Sequence, residues 1–336
     1  MMLGLLLLLA VFASPVLAQT TTTITGAGAT FPYPIYAKWF QNYQRHTPEV
    51  EFKYDAVGSE TGIRRLLQNQ VDFGGTDNPE ILHQLSTHKD GEFLFFPTVV
   101  GAVVPIVNLP GFGDNVAFTP EALAGIYLGK ITKWNDPVLV RANAGRHLPN
   151  LDIVVAHRSD GSGTTYAWSD YLSKTSTEWK TQMGASLSPK WPVGREANGN
   201  DGVAKMVKEF GGAIGYVQFI YALQNHLSFG KVRNRNGEFV TASLESIAAA
   251  ATNAMEPGSD FKVSIADAPG AGSYPIASFT WLVFPARISD GVKRGAIADF
   301  LQWMLGSGQR QAAALGYLPL PQSWIAKEQA AISRIQ

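Results

Sequence analysis

Along the chain, short apolar runs with period two give way to stretches with period near 3.6, and the same kind of small polar turn marks each change. Thr20 to Thr25 is a β-branched run that predicts a strand leading into Gly26-Ala-Gly-Ala-Thr30-Phe31-Pro32. Pro34 starts a helix bearing Tyr36, Trp39, Phe40 and Tyr43, whose spacing assigns them to a core rather than to a ligand. Val50 to Val57 alternates as a strand and meets Gly58-Ser59-Glu60-Thr61-Gly62, after which Ile63, Leu66 and Leu67 share one helical face. Val71 to Gly75 is a short strand ending in Thr76-Asp77-Asn78-Pro79, with the proline suited to a first helical turn. The pattern returns at Ile153 to Ala156, a buried strand followed by Arg158-Ser-Asp-Gly-Ser-Gly-Thr-Thr165 and by aromatic and apolar residues at helical spacing from Tyr166 to Leu172.

The remaining periodicity fills in an α/β protein. Phe93 to Gly101 and Ala102 to Asn108 read as two buried strands. Thr119-Pro120 is a helix start, Tyr127 to Pro137 a loop with Trp134 over the core, and Asp201 to Phe210 a helix with Val203, Met206, Val207 and Phe210 on one face. Asn234-Arg-Asn-Gly237 predicts a hairpin turn, Leu244 to Ala251 a packed helix and Tyr274 to Phe284 a central strand. Helices over Asp290 to Leu305, Gln309 to Leu315 and beyond Pro321 close the chain, which has no internal repeat and no low-complexity linker.

A glycine- and hydroxyl-rich turn between strand and helix directs unpaired backbone N–H groups, at the positive end of the helix dipole, toward whatever lies in front of it. Around Arg158 such a turn also carries Ser162, Thr164 and Thr165 as hydroxyl donors, and the guanidinium is a planar fork suited to an oxyanion. Asp160, two residues on, can pair with that guanidinium and fix its direction. The plainer reading of one turn is an N-capped helix. What favours an anion site is recurrence, because ligands of open α/β sheets collect beyond the carboxyl ends of the strands. Two nucleotide signatures fail: Phe31 replaces the third glycine of a dinucleotide fingerprint, no acidic residue closes a second strand, and there is no Walker lysine. Asp77 is the odd member, since a carboxylate repels an anion unless the anion brings a proton to share. Phosphate at neutral pH keeps at least one P–O–H and sulfate keeps none, so Asp77 points toward the former unless it merely caps a helix.

Composition removes other classes. The 336 residues suffice for two ordinary domains, and 46% hydrophobic with 16% charged residues exclude disorder. Lys plus Arg and Asp plus Glu are both 27, with no basic segment, so no nucleic-acid partner is expected and any anion must be held by local geometry. Without cysteine there are no disulfides, thiolate metal sites, thiol nucleophiles or acylated lipoprotein cysteine. Leu3 to Phe12 is apolar and Ala13 to Ala18 small enough for cleavage, which reads as a secretory signal over 1–18; the run is short for a span and broken by Pro15, although no basic residue precedes it and the first charge is Lys38. Catalysis finds little footing. Asp160 stands where a G-x-S-x-G elbow around Ser162 needs glycine, no H-E-x-x-H pair exists, and His83 and His88 are five apart. A triad of Ser162, His157 and an Asp would need strand neighbours to converge, and the clustered Asp and His ligands of a metal-dependent phosphatase are missing.

Together, Thr25-Gly-Ala-Gly-Ala-Thr-Phe-Pro32, Val71-Asp-Phe-Gly-Gly-Thr-Asp77, Ile126 to Asp136, Arg158 to Thr165, Trp191-Pro192 with Asn200-Asp-Gly-Val203, and Gly212-Ala-Ile-Gly-Tyr-Val217 resemble the periplasmic phosphate-binding proteins of phosphate-specific ABC transporters. The likeness runs in order from about Thr25 to the C-terminus. It implies a two-lobe periplasmic-binding-protein fold of type II, each lobe a mixed sheet flanked by helices, joined by two crossing strands. The lobes would be 19–98 with 273–336, and 99–272. The resemblance further implies a monomeric, non-enzymatic receptor in the periplasm, without cofactor or metal, that gives inorganic phosphate to permease subunits. Its donors match Thr30, Phe31, Ser59, Arg158, Ser162, Gly163 and Thr164, its acceptor matches Asp77, and the partner of the arginine matches Asp160. Glu60-Thr61 departs from the small residues usual in the family, and Glu60 is expected to face solvent or pair with Arg64. The rivals are a sulfate or molybdate receptor and a secreted hydrolase of phosphate esters.

Overall fold

The computed structural model describes residues 21–89, 91–112, 116–255 and 261–336, so the expected signal over 1–18 lies outside the described residues. The chain begins with β1 (Thr22–Gly28), α1 (Tyr33–His46), β2 (Val50–Ala56), α2 (Ser59–Leu67), β3 (Phe73–Thr76) and α3 (Pro79–Ser86). There follow β4 (Phe93–Asn108), β5 (Ala117–Phe118), α4 (Pro120–Tyr127), α5 (Pro137–Ala142), β6 (Val154–Arg158), α6 (Gly163–Thr175) and α7 (Thr177–Gln182). Next are β7 (Arg195–Ala197), α8 (Gly199–Glu209), β8 (Ala213–Gln218), α9 (Phe219–Gln224), β9 (Ser228–Phe229), β10 (Lys231–Arg233), β11 (Phe239–Val240) and α10 (Leu244–Ala254). The chain ends with β12 (Ala277–Pro285), α11 (Gly291–Trp303) and α12 (Gln322–Ile332).

The main sheet runs β2-β1-β3-β12-β4-β8-β6-β7, with β9 beside β4, and a smaller sheet runs β11-β10-β5. β1 is parallel to β2 and β3, and β6 is parallel to β7 and β8. Between these parallel groups lie β12 and β4, antiparallel to their neighbours. β4 joins the groups because its 16 residues change partner along their length. Residues up to Ala102 pair with β12, and from Val103 onward with β8. The sequence suggests two strands meeting near Gly101, but the structure has one. Gly101 does not break the strand; it makes room, since a Cβ there would come within 2.6 Å of the Phe31 ring.

Two aromatic clusters fill the space under the sheet. Phe40, Phe52, Phe73 and Phe300 pack beside the first parallel group, with Phe52 and Phe300 centroids 4.4 Å apart. Tyr127, Trp168, Trp191 and Tyr216 pack beside β6, with Trp168 stacked on Tyr216 at 5.0 Å. Trp134 is fully buried and donates through its indole N–H to the Gly212 carbonyl at 2.9 Å. The Asn234–Gly237 turn joins antiparallel β10 and β11, as the sequence predicts.

Three expectations need correcting. Leu67, the last residue of α2, is 39% exposed, and Phe210 lies beyond the end of α8 and stays half exposed under the Arg195 guanidinium. Leu67 is in the last position of its helix and Phe210 one residue past the end of its own, so neither is carried into the core by a continuing turn. Gln309 to Leu315 is not an α-helix: after α11 the chain makes one π turn, Met304–Gly308, and two short 3-10 turns. There the Gly308 carbonyl accepts from the Trp39 indole at 2.8 Å, and the Gln309 amide spans from the Thr98 carbonyl to the Leu320 N–H. Those long-range bonds replace the regular helical ladder.

Candidate anion site

The strand registers bring the small polar turns together. Gly28 at the end of β1 pairs with Ala56 of β2 and Gly75 of β3, so three carboxyl ends lie side by side. In the second parallel group Arg158 pairs with Ala197. Each end feeds a helix: Ser59 begins α2, Gly163 begins α6 with Ser162 as its cap, and Gly199 begins α8. Asn78 rather than Asp77 caps α3, its side chain accepting from the Glu80 N–H at 2.9 Å. Asp77 is thereby released from the capping role the sequence left open to it.

The two groups meet across the residues that the resemblance singled out. Gly163 N–H donates to Ser59 Oγ at 3.1 Å, and Glu60 N–H to the Gly161 carbonyl at 3.1 Å. Glycine is required at both facing turns. At Gly58, with φ at 90°, a Cβ would lie 2.5 Å from an Asp160 oxygen; at Gly163 it would lie 2.5 Å from an Asp77 oxygen. Thr30 comes in from the end of β1, where its carbonyl accepts from the Tyr221 hydroxyl at 2.6 Å. Phe31 enters through its backbone only: its carbonyl accepts from Tyr317 at 2.6 Å and its ring is buried toward Gly101.

Polarity within this cluster is one-sided. Ser59 Oγ accepts from the Asp77 and Gly163 N–H groups, at 3.4 and 3.1 Å, and Ser162 Oγ accepts from Thr165 N–H at 3.1 Å. Thr30 Oγ1 and Thr164 Oγ1 both accept from the side-chain amide of Asn200, at 2.7 and 3.2 Å. A hydroxyl whose lone pair is engaged still has its proton to give, so all four are set as donors. Arg158 is 3% exposed; its Nε donates to Asp160 Oδ1 at 2.7 Å, its Nη2 binds Asp160 Oδ2, and Nη1 has no partner among the described residues. Asp160 also accepts from Gly199 N–H at 3.0 Å. Burial alone would raise the Asp160 carboxyl, but the hydrogen bonds and charge of Arg158 and the Gly199 N–H hold it below the usual carboxylate range.

Asp77 is the counterweight. It is 1% exposed, and neither carboxylate oxygen has a hydrogen-bond partner among the described residues. Burial pushes its carboxyl up to about 7, against the opposing pull of the Thr280 hydroxyl and the Arg158 guanidinium. The Thr280 hydroxyl bonds the Thr76 carbonyl at 3.3 Å and pulls on the nearby Asp77 carboxyl without making a full hydrogen bond to either of its oxygens. Buried polar groups are ordinarily satisfied, so an unpaired guanidinium N–H and an unpaired carboxyl in one cluster of donors point to a ligand with both acceptor oxygens and a hydroxyl.

The structure thus gathers Thr30, Ser59, Asp77, Arg158, Ser162, Gly163 and Thr164, with Asp160 behind the arginine. Glu60 is exposed and its carboxylate lies over Gly161; Arg64 donates instead to Thr61 Oγ1 at 3.2 Å. Ser162 and His157 do not engage each other: His157 is buried and stacked on Trp191 at 4.9 Å, with Nδ1 3.2 Å from the Arg158 carbonyl. Sequence reasoning missed Asn200, Tyr221 and Tyr317 as supports of the site. Asn200 had a usable signal, since Asn198-Gly-Asn200 repeats the strand–turn–helix pattern after β7. The two tyrosines come from distant parts of the chain and carry none.

Several known proteins are similar to the chain over most of its length. Residues 14–307 match the family model described as PBP superfamily domain. Phosphate-binding protein PstS of Pasteurella multocida is 41% identical over 327 residues, covering 97% of this chain and 94% of that protein. Phosphate-binding protein PstS of Xylella fastidiosa strain Temecula1 is 42% identical over 300 residues, covering 89% and 81%. Among solved structures, the high affinity periplasmic phosphate-binding protein PfluDING bound with phosphate superposes with a TM-score of 0.71 at 22% identity, covering 92% of this chain and 94% of that one. A phosphate-binding protein from Stenotrophomonas maltophilia gives a TM-score of 0.67 at 22% identity, covering 92% and 93%. At these identities the solved structures show the fold, which is the two-lobe type II architecture that the sequence resemblance implies.

Proposed function

The chain belongs to the PstS family of phosphate-binding proteins within the PBP superfamily, and from that premise we propose that it captures inorganic phosphate between two lobes and delivers it to the permease subunits of an ABC importer. The lobes are 19–98 with 273–336, and 99–272, joined by two crossings, one along β4 and one along the chain that leads into β12. The protein works in the periplasm as a monomer.

One observation carries the choice of ligand. A buried carboxyl whose two oxygens lack a hydrogen-bond partner lies in one cluster with four hydroxyls whose lone pairs are engaged and a guanidinium N–H without a partner among the described residues. Phosphate fills both roles, accepting from the donors and giving its P–O–H to Asp77. Sulfate or molybdate would leave Asp77 facing a bare oxygen at a site built to meet a ligand hydrogen. Hydrolysis has less support, because His157, the base that a Ser162 nucleophile would need, is stacked on Trp191 with its Nδ1 3.2 Å from the Arg158 carbonyl. Phosphate is bound through Thr30, the Phe31 backbone, Ser59, Asp77, Arg158, Ser162, Gly163 and Thr164.

Calorimetric titration of unfolded, phosphate-stripped and refolded protein, first with phosphate and then with sulfate, tests this reading. Saturable heat with phosphate and none with sulfate is the expected result. Equal binding of both anions would make the protein a general oxyanion receptor, and release from a chromogenic phosphate ester would make it a hydrolase.

A further inference from the structure

We propose that Asn200 is a positioning residue for this site, fixing the Thr30 and Thr164 hydroxyl protons as donors to the anion; the proposal rests on the phosphate reading above. Asn200 is fully buried in the first turn of α8. Its Oδ1 accepts from the Gln218 backbone N–H at 3.0 Å. That group can only donate, so the orientation of the amide is determined by the backbone and Nδ2 must face the other way. Nδ2 then donates to Thr30 Oγ1 at 2.7 Å and to Thr164 Oγ1 at 3.2 Å.

A threonine hydroxyl has one proton and two lone pairs, and its rotor turns to suit its neighbours. With a lone pair of each oxygen occupied by the same amide, neither hydroxyl can donate toward Asn200, and both protons are turned away from it. Thr30 follows β1 and Thr164 lies in α6, so one side chain sets donors on the two parallel groups at once. An asparagine does this and an aspartate does the reverse: Asn200→Asp keeps the Gln218 bond through one oxygen but presents the other as an acceptor, drawing the threonine protons toward itself. The Tyr221 hydroxyl, which donates to the Thr30 carbonyl at 2.6 Å, fixes the backbone on which the first rotor turns.

The test is a set of double-mutant cycles read by phosphate titration of stripped protein. Asn200→Ala should weaken phosphate binding roughly tenfold in the parent, the scale of one hydrogen bond to a charged ligand. In Thr30→Val and in Thr164→Val backgrounds its effect should shrink to about threefold or less, because one of the two rotors it sets is gone. Asn200→Asp should weaken binding more than Asn200→Ala, its effect should shrink in the same backgrounds, and it serves alone if the alanine variant does not fold. An unchanged factor in both valine backgrounds, or parent affinity in the variants, overturns the proposal. A parent protein that binds no phosphate overturns instead the reading on which it rests.

Discussion

Replacing Asp77 by asparagine should change how the anion-free protein responds to pH. The Asp77 carboxyl sits at about 7 in the folded chain, against an ordinary value of 3.8, because burial disfavours its charged form. Between those values the folded state holds a proton that the unfolded state has lost, so stability declines as pH rises from about 4 to about 7. The gap of roughly three pH units corresponds to about 4 kcal/mol, at 1.36 kcal/mol per unit. Since the side chain is 1% exposed, little of this is screened by solvent. Asp77→Asn has nearly the same shape and cannot ionise. Its stability relative to the parent should therefore rise by about that amount between pH 4 and pH 8. Urea unfolding midpoints of the two stripped proteins across this range measure the difference directly, and other titrating groups cancel between them. A difference that stays flat with pH would mean that Asp77 is solvated or paired in the folded protein, contrary to the geometry above.

The other side of the site and the motion around it give further tests. Arg158→Ala removes the unpaired Nη1 donor and strands Asp160, and breaking one member of a buried charge pair costs about 2–5 kcal/mol, so phosphate titration should show a loss of tens- to thousands-fold, with near-parent affinity placing the site elsewhere. Phosphate bridging Thr30, Ser59 and Asp77 on one lobe to Arg158 to Thr164 on the other should favour a compact form, and small-angle scattering should show a smaller radius of gyration with phosphate than without; an unchanged curve would count against a ligand that closes the lobes.

The sequence makes much of this legible, because each piece of the site is local. The donors around Ser162 and Gly163 belong to a single strand–turn–helix unit, and such units announce themselves through period changes and glycine. Asp160 could be assigned to Arg158 from a separation of two residues, and the pair is formed. What the sequence hides is long-range or depends on a termination. That Asp77 has no full hydrogen bond depends on Asn78 taking the cap and on Thr280, some two hundred residues away, bonding the Thr76 carbonyl. Gln309 to Leu315 has helical spacing, yet Trp39 claims the Gly308 carbonyl just before it and the Thr98 carbonyl claims the Gln309 side chain. Gly101 looks like a boundary between strands because its role, space for the Phe31 ring, exists only once the chain has folded.

The central claim is that Asp77 accepts the hydrogen of the bound anion and for that reason excludes anions without one. Titrating stripped Asp77→Asn with sulfate above about pH 8, where the Asp77 carboxyl of the parent is ionised, with the parent alongside, tests it most directly. A site that needs one ligand hydrogen can reject its isostere by about 10⁴–10⁵, and an asparagine can turn its amide N–H₂ toward a bare oxygen. The variant should keep phosphate and gain measurable sulfate binding that the parent lacks. If Asp77→Asn excludes sulfate as strongly as the parent does, Asp77 is not the discriminating acceptor and the account of the site is wrong at its centre.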